Sequence, residues 1–144
     1  MYLLEVFQQM DDCSLTEKQW REKLIRVTDL CHFIKCYDPS IKIIDWRQHK
    51  INIVEDKGIK KGLFLCDLFY NTGHVPDASL YNFYYLSEFR KKYHINELWF
   101  AIVEEGMYNN IKGSNKFIEE NNISALYDKV FHFNFSQSKI ELLK

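Results

Sequence analysis

The stretch Leu63–Tyr70 constrains the fold more than any other part of the sequence. It reads LFLCDLFY, so both of its faces are apolar and Asp67 is its only charged residue. A strand that is apolar on both faces needs cover on both sides, as the central strands of α/β sheets have. A helical stretch and a second apolar run, Glu97–Val103, follow at a distance that suits a right-handed parallel crossover. We therefore expect an α/β domain with a mixed sheet and helices packed on it.

Flanking patterns predict the other elements. Ser14-Leu15-Thr16-Glu17 has the spacing of a capping box and predicts the start of a long helix, which Asp38-Pro39 ends. Ile41–Trp46 and Lys50–Glu55 have the pattern of a hairpin, and a turn over Lys57–Gly62 leads into the central strand. The later predicted elements are a helix over Asp77–Tyr93, the strand Glu97–Val103, a short helix at Phe117–Asn121, the strand Val130–Phe135 and an edge strand at Lys139–Leu142. Tyr2–Met10 is predicted as a short helix or a first strand.

The predicted order is α-βββ-α-β-α-β, an antiparallel meander followed by one parallel βαβ crossover. The 144 residues suit a single domain over 1–144. A net charge of -1 lacks the footprint of a dedicated nucleic-acid binder. The first residues lack the basic start of a signal peptide, and no apolar run reaches the ~18 residues of a membrane span. We expect a cytoplasmic protein whose four cysteines are reduced.

The order of helix, three-strand meander, helix and strand over residues 15 to 105 resembles the core of the restriction-endonuclease-like, or PD-(D/E)xK, nucleases. In that family an Asp on one meander strand and a (D/E)xK motif on the next hold a divalent metal ion, which would be Mg²⁺ or Mn²⁺. The resemblance implies that Asp67 is the acid of the motif, opposite residues 52 to 54. Asn52 then stands where the family has Asp, and Phe69 where it has Lys. Glu17 could supply the helix glutamate that some members add.

Two further sets of acids are candidate ligands or catalytic groups. Glu55-Asp56-Lys57 spells ExK, so Glu55 and Asp56 are candidate metal ligands with Asp67. Ligands of open α/β sheets gather at the carboxyl ends of parallel strands. At those ends Asp67, His74 and Glu104 are candidates for metal binding or acid–base chemistry, because His74 can titrate near neutral pH.

Two surfaces are candidates for binding. Lys57, Lys60 and Lys61 form a basic cluster on the predicted turn, suited to phosphate or an acidic protein, or simply to solvent. The helix Asp77–Tyr93 carries aromatic residues in nearly every direction, whereas a crossover helix buries only one stripe. Part of this surface either lies under other helices or binds a partner. The candidate binding residues on this helix are Tyr81, Tyr84, Tyr85 and Phe89.

The leading hypothesis is a non-catalytic protein that docks onto or inhibits another macromolecule, as immunity proteins, antitoxins and phage-type inhibitors do. The partner is expected to be a protein, with nucleic acid or a second copy of the chain as the other options, and neither a cofactor nor a membrane is expected. The alternative is a nuclease or phosphodiesterase that depends on Mg²⁺ or Mn²⁺ and uses Asp67 with Glu55, Asp56 or Glu104.

Overall fold

One sheet of six strands organises the part of the chain that the computed structural model describes, residues 16–46, 50–67, 78–105 and 111–144. The strands are β1 (Lys42–Asp45), β2 (Asn52–Asp56), β3 (Ile59–Asp67), β4 (Glu97–Glu104), β5 (Lys129–Asn134) and β6 (Lys139–Leu142). The helices are α1 (Glu17–Tyr37), α2 (Phe83–Tyr93), α3 (Ile111–Glu120) and α4 (Ile123–Leu126), with a 3-10 turn at Ala78–Tyr81. The spatial order of the strands follows the sequence. The predicted Tyr2–Met10 element lies outside the described residues.

The sheet is mixed, as the sequence predicts. Strands β1, β2 and β3 are antiparallel, β3, β4 and β5 are parallel, and β6 returns antiparallel to β5. The predicted α/β class is therefore confirmed, and so is the edge strand at Lys139–Leu142. The expectation of one parallel crossover is wrong, because β4 to β5 is a second crossover. Its helix α3 begins at Ile111, ahead of the short helix predicted at Phe117–Asn121.

Helix α1 begins two residues later than the sequence spacing predicts. Thr16, not Ser14, is the N-cap, and its hydroxyl accepts a hydrogen bond from Gln19 N at 3.3 Å. The Gln19 side chain accepts one in return from Thr16 N at 3.0 Å, which completes a capping box. Glutamine can replace glutamate at the third helical position. The sequence therefore contains two overlapping capping boxes, one that begins at Ser14 and one that begins at Thr16. Asp38 caps the other end, as predicted.

The hairpin between β2 and β3 is tighter than predicted. Its loop has only two residues, Lys57 and Gly58, with φ angles of 52° and 81°, and Asp56 pairs with Ile59 across it. Two-residue hairpin loops favour positive φ at both positions, and glycine adopts such angles without strain. The predicted turn over Lys57–Gly62 is therefore wrong. Pairing continues to the loop, and Lys60 and Lys61 belong to β3.

Helices cover the two faces of the sheet. Helix α1 packs on one face against side chains such as Leu63, Trp99 and Phe131. Helices α2, α3 and α4 pack on the other, where Phe89 and Leu98 meet at Gly62. A Cβ atom at Gly62 would lie 2.9 Å from Leu98 Cδ2, so glycine keeps this contact tight. The predicted shared face of the strand Val130–Phe135 is confirmed by Phe131, Phe133 and Phe135, which all lie on the α1 side.

Candidate functional site at the carboxyl edge of the sheet

Polar side chains gather at the edge of the sheet where the three parallel strands end. Asp67 ends β3, Glu104 ends β4 and Asn134 ends β5. The strands are in register there, since Asp67 pairs with Val103 and Glu104 pairs with Asn134. Side chains alternate between the faces of a strand, so the polar groups divide into two sets on opposite sides of the sheet.

The set on the α1 face consists of three carboxylates, Asp29, Asp67 and Glu105, which we call the carboxylate cluster. Asp67 follows Leu63 and Leu65 in steps of two and therefore faces α1. Asp29 lies in α1 and is only 5% exposed. Burial, followed by the negative charges of Asp67 and Glu105, raises the pKa of Asp29 to about 7. The cluster therefore holds a carboxyl group that can exchange a proton near neutral pH.

The set on the opposite face is a buried pair of Glu104 and His132. Their Oε2 and Nε2 atoms lie 2.6 Å apart, and both side chains are almost fully buried. Asn134 is completely buried on the same side of β5. The pair joins β4 to β5, which suits an interior contact between strands better than a group that meets a ligand.

The sequence predicts that Asp67, His74 and Glu104 converge, but Asp67 and Glu104 do not. They are at neighbouring positions of the edge but point to opposite faces of the sheet, because Asp67 lies level with Val103, one residue before Glu104. His74 lies outside the described residues. Asp67 and Glu105 instead both lie near enough to Asp29 for their charges to raise its pKa.

The predicted metal ligands Asp67, Glu55 and Asp56 are far apart. Asp56 pairs with Ile59 at one end of β3, and Asp67 ends the same strand eight residues later. At a strand rise of ~3.3 Å per residue this separation is about 26 Å, and Glu55 is one position nearer. Within the described ranges, no group of three or more His, Cys, Asp or Glu side chains is arranged to hold a metal ion. This predicted metal site is therefore wrong.

The register expected from the family resemblance is also wrong. Leu63, not Asp67, pairs with Asn52. The predicted turn includes Lys60 and Lys61, whereas the observed loop has only two residues. Each residue of β2 therefore pairs with a residue of β3 that is four positions earlier than predicted. Glu17 is the first residue of α1, where it forms an exposed ion pair with Arg21 at 2.6 Å. The acid that α1 does bring to the edge is Asp29, two-thirds of the way along the helix.

The predicted basic cluster is divided by the hairpin. Lys57 is exposed in the loop, and Lys60 is half-buried in β3. Lys61 is buried, with Nζ 3.2 Å from Asp56 Oδ2 and 4.4 Å from the centre of the Trp99 ring. A lysine held by an acid and an aromatic ring contributes to the core instead of a surface patch. The expected three-lysine surface is therefore wrong.

The aromatic residues around α2 also divide into two groups. Phe89 is buried, and Tyr81 packs against the rings of Phe100 and Phe117. Tyr84 is 74% exposed and Tyr85 36% exposed, and the first residue of the helix, Phe83, is 72% exposed. Asn82 interrupts the predicted helix Asp77–Tyr93, and its side chain caps α2 by accepting from Tyr85 N at 3.1 Å.

We call Phe83, Tyr84 and Tyr85, with the exposed Lys91 and Lys92 further along α2, the α2 surface. Two of its aromatic residues are among the predicted binding residues, whereas Tyr81 and Phe89 belong to the core. The sequence pattern alone could not separate them, because the break at Asn82 changes which side of the helix each ring occupies.

The carboxylate cluster includes two residues that the sequence does not identify as candidates, Asp29 and Glu105. The available signal for Asp29 was an acid between the buried Val27 and Leu30 of an amphipathic helix. Burial of such an acid costs free energy of desolvation unless the fold supplies an opposite charge or a hydrogen-bond donor. Glu105 follows Glu104 directly, and only the alternation of faces along β4 distinguishes the two.

The fold is shared with a solved structure. No protein-family model and no curated protein matches the sequence. An fdxN element excision controlling factor protein from Anabaena variabilis superposes with a TM-score of 0.54 and 14% identity, covering 83% of this chain and 98% of that chain. An XisH family protein from Nostoc punctiforme PCC 73102 gives a TM-score of 0.44 and 16% identity, covering 81% of this chain and all of that one.

In the described part of the chain, none of the helices combines the length and the apolar character needed to cross a membrane. At 14% identity, the similarity to the Anabaena variabilis protein establishes a common α/β fold and nothing about function.

Proposed function

We propose that the protein is a non-catalytic binding protein that docks onto another protein, as immunity proteins, antitoxins and phage-type inhibitors do. The observation that carries this proposal is the α2 surface. Phe83 and Tyr84 expose about three-quarters of their area side by side at the start of the helix. Adjacent exposed aromatic rings mark interaction sites, because aromatic residues are enriched in the buried centres of protein–protein interfaces.

The charges on α2 indicate the chemistry of the partner. Lys91 and Lys92 lie two turns after the aromatic pair, and Lys91 shares the outward stripe of Tyr84 at about 10 Å along the helix axis. Neither lysine has an ion pair among the described residues. A complementary partner surface would have an apolar centre with acidic side chains at one rim.

The alternative is a divalent-metal-dependent nuclease with a restriction-endonuclease-like fold. The element order supports that resemblance, but Glu55 and Asp56 lie at the end of β2, beside the start of β3, whereas Asp67 is at the far end of β3. One solved protein of the shared fold is named an fdxN element excision controlling factor. A controlling role fits a protein that acts by binding, so we place this alternative second.

A capture and titration experiment tests the proposal. Immobilised protein would be exposed to a lysate of its source cells, and any retained polypeptide would be purified and titrated against three forms of the chain. These are the wild type, Phe83→Ser/Tyr84→Ser, and a control, Leu24→Ser/Ile25→Ser, which changes two α1 residues that are 42% and 40% exposed.

We expect the wild type and the control to bind with the same affinity. The α2 variant should bind about a hundredfold more weakly, as expected when two aromatic anchors are lost. Equal affinity of all three forms would contradict the proposal. So would light scattering that shows a dimer of the 17.4 kDa chain formed through α2, since the surface would then be occupied by a second copy.

A cleavage assay tests the alternative. Single- and double-stranded DNA and RNA would be incubated with the protein in Mg²⁺ or Mn²⁺, beside Asp67→Ala. We expect no cleavage by either form. Cleavage by the wild type that disappears in the variant would overturn the proposal.

A further inference from the structure

Strand β6 is one of the two outer strands of the sheet in the described part of the chain, and it pairs with β5 on its inner side. Leu143, directly after β6, donates its N–H to Val130 O of β5 at 2.7 Å. In an antiparallel ladder, successive residues direct their N–H and C=O groups alternately toward and away from the neighbouring strand. Counting back from Leu143, Glu141 also faces β5, whereas Ile140 and Leu142 direct their backbone groups away from the sheet.

The two outer strands differ in their suitability for further pairing. The register of β1 with β2 shifts between Ile43 and Asp45. Such an irregularity bends an edge strand and interrupts its ladder, which is one way in which proteins protect sheet edges. Strand β6 keeps one register with β5 along its whole length. Within the described ranges, no hydrogen bond leads from the outer side of β6 to another segment. Strand β6 is therefore the edge that offers a regular ladder.

The charges of β6 are complementary to those of a second copy of the same strand. Ile140 packs on the α1 face, so Lys139 and Glu141 share the opposite face. Lys139 Nζ lies 3.1 Å from Glu141 Oε1, and the two side chains are 55% and 32% exposed. If β6 runs antiparallel to a second copy with Ile140 at the centre, Lys139 of each copy lies opposite Glu141 of the other. The order Lys-Ile-Glu therefore gives two cross-strand pairs of opposite charge.

The same register suits the backbone and the apolar side chains. The two Ile140 residues become a hydrogen-bonded pair, in which the outward N–H of each copy donates to the C=O of the other. On the α1 face the two Ile140 side chains lie next to each other, beside Leu142, which is 60% exposed in the single chain. Pairing would therefore satisfy outward backbone groups and cover an exposed apolar side chain at once.

We propose that β6 is the interface of a homodimer, in which two copies pair antiparallel about Ile140 and join their sheets into one. The interface is isologous, since each copy contributes the same residues. A strand of four residues buries much less surface than a standard interface does, so the dimer should form at high protein concentration. The dimer does not use Phe83 or Tyr84, so it goes beyond the proposed docking function and does not depend on it.

Sedimentation equilibrium of the full chain at several concentrations measures the association. Between about 1 µM and about 1 mM, the mass of the wild type should rise from 17.4 kDa toward twice that value. Lys139→Glu and Glu141→Lys each place like charges opposite one another at both cross-strand pairs. Each variant should therefore self-associate about tenfold more weakly. The double exchange Lys139→Glu/Glu141→Lys restores opposite charges and should associate as the wild type does.

A mixture of the two single variants separates pairing of β6 from damage to the fold. One variant carries acids at both positions and the other carries lysines, so each is repelled by its own copy and attracted by the other. The equimolar mixture should form a heterodimer at concentrations at which each variant alone is a monomer. A mixture that stays monomeric would overturn the proposal, as would a wild type that is monomeric at about 1 mM. Equal association of the wild type and both single variants would overturn it too.

Hydrogen exchange followed by NMR locates the interface. The outward Ile140 amide should exchange more slowly as the protein concentration rises, whereas the amides of β1 should not change. Slower exchange of Ile140 that requires an added, captured polypeptide would assign the β6 edge to another protein and overturn the homodimer. Phe83→Ser/Tyr84→Ser should dimerise as the wild type does. Loss of the dimer in that variant would overturn both proposals, whereas a monomeric wild type would leave the capture experiment unaffected.

Discussion

Asp29 shows how a fold can place an acid where its charge is unfavourable. The α1 stripe buries Val27, Leu30 and Phe33, and Asp29 is carried into the interface among them. Because its pKa is raised from 3.8 to about 7, the folded chain binds a proton more tightly than the unfolded chain does. The stability that this proton provides is complete below pH 4. It is lost as the pH rises from about 4 to 7.

Replacing Asp29 with Asn should therefore stabilise the protein in a pH-dependent way. The gain in the free energy of unfolding should be small near pH 4, grow up to pH 7, and approach about 4 kcal/mol above that, since one pKa unit corresponds to ~1.4 kcal/mol. Urea unfolding at pH 5 and pH 8 would measure it. A gain that is the same at both pH values would show that the charge of Asp29 is not the cause.

Asp38→Asn is the matched control for that experiment. The Asp38 carboxylate accepts hydrogen bonds from Ser40 Oγ at 2.7 Å and Ser40 N at 3.0 Å, and these lower its pKa. A lowered pKa stabilises the folded state above the unfolded-state pKa, so this variant should lose stability at pH 8. The two substitutions are expected to act in opposite directions.

The cysteines should differ in reactivity because their burial differs. Burial raises the pKa of Cys31 to about 11 and that of Cys66 to about 12, whereas Cys36 is partly exposed. The thiolate is the reactive form, so iodoacetamide at pH 8 should label Cys36 at least about tenfold faster than the other two. Peptide mass spectrometry over time would measure each rate. Equal rates for the three residues would contradict the burial of Cys31 and Cys66.

At the scale of elements, the Glu104–His132 pair connects the ends of two parallel strands. It lies between β4 and β5, with 2.6 Å between Glu104 Oε2 and His132 Nε2, and both side chains are almost fully buried. Breaking a buried pair by removing one partner leaves the other without compensation, which commonly costs about 3–5 kcal/mol.

Glu104→Ala should therefore lower the free energy of unfolding by about 3–5 kcal/mol, measured by urea denaturation. The double variant Glu104→Leu/His132→Phe replaces the pair with apolar groups and should recover most of that loss. If the double variant is as unstable as the single one, the pair is not the source of the effect, and cavity formation at the end of β4 would account for it.

The hairpin between β2 and β3 is the element whose details changed most between sequence and structure. A loop of two residues shifts the pairing of β3 with β2 by four positions from the predicted register. With this shift Asp67 no longer lies opposite Asn52, and Lys61 becomes a buried residue of β3. The sequence contains both Gly58 and Gly62, and either could have marked the turn. Gly58 is the one with positive φ, while Gly62 serves the close approach between the sheet and α2.

At the scale of the whole molecule, most large apolar side chains of the described residues lie in two buried faces, and the most exposed of the others are on α2. Leu86 is buried under α2, whereas Phe83 and Tyr84 on the same helix remain exposed. Exposed side chains contribute little to folding, because they are in water in both the folded and the unfolded states.

Phe83→Ser/Tyr84→Ser should therefore leave the free energy of unfolding within about 0.5 kcal/mol of the wild type. Leu86→Ala, a buried position on the same helix, should lower it by about 2–5 kcal/mol. Thermal and urea denaturation of the three forms would compare them. A large loss in the first variant would mean that the aromatic pair supports the fold instead of being available to a partner.

The sequence by itself determined the class and most of the order of this fold. Periodicity identifies the elements because burial repeats every two residues in a strand and every 3.6 in a helix, and both repeats are local. The central strand, the end of α1 at Asp38 and the alternation of Phe131, Phe133 and Phe135 all follow from such local patterns.

Only the tertiary structure decided which polar residues meet. The carboxylate cluster joins Asp29 to Asp67 and Glu105, which are distant in sequence, and its formation depends on loop length, register and the packing of α1. A one-residue change in register moves a side chain to the opposite face of a sheet, so a small uncertainty in a turn is enough to assign it to the wrong site. The strand pattern therefore identifies Asp67 as an unusual acid, whereas its pairing with β4 and the packing of α1 bring it near Asp29.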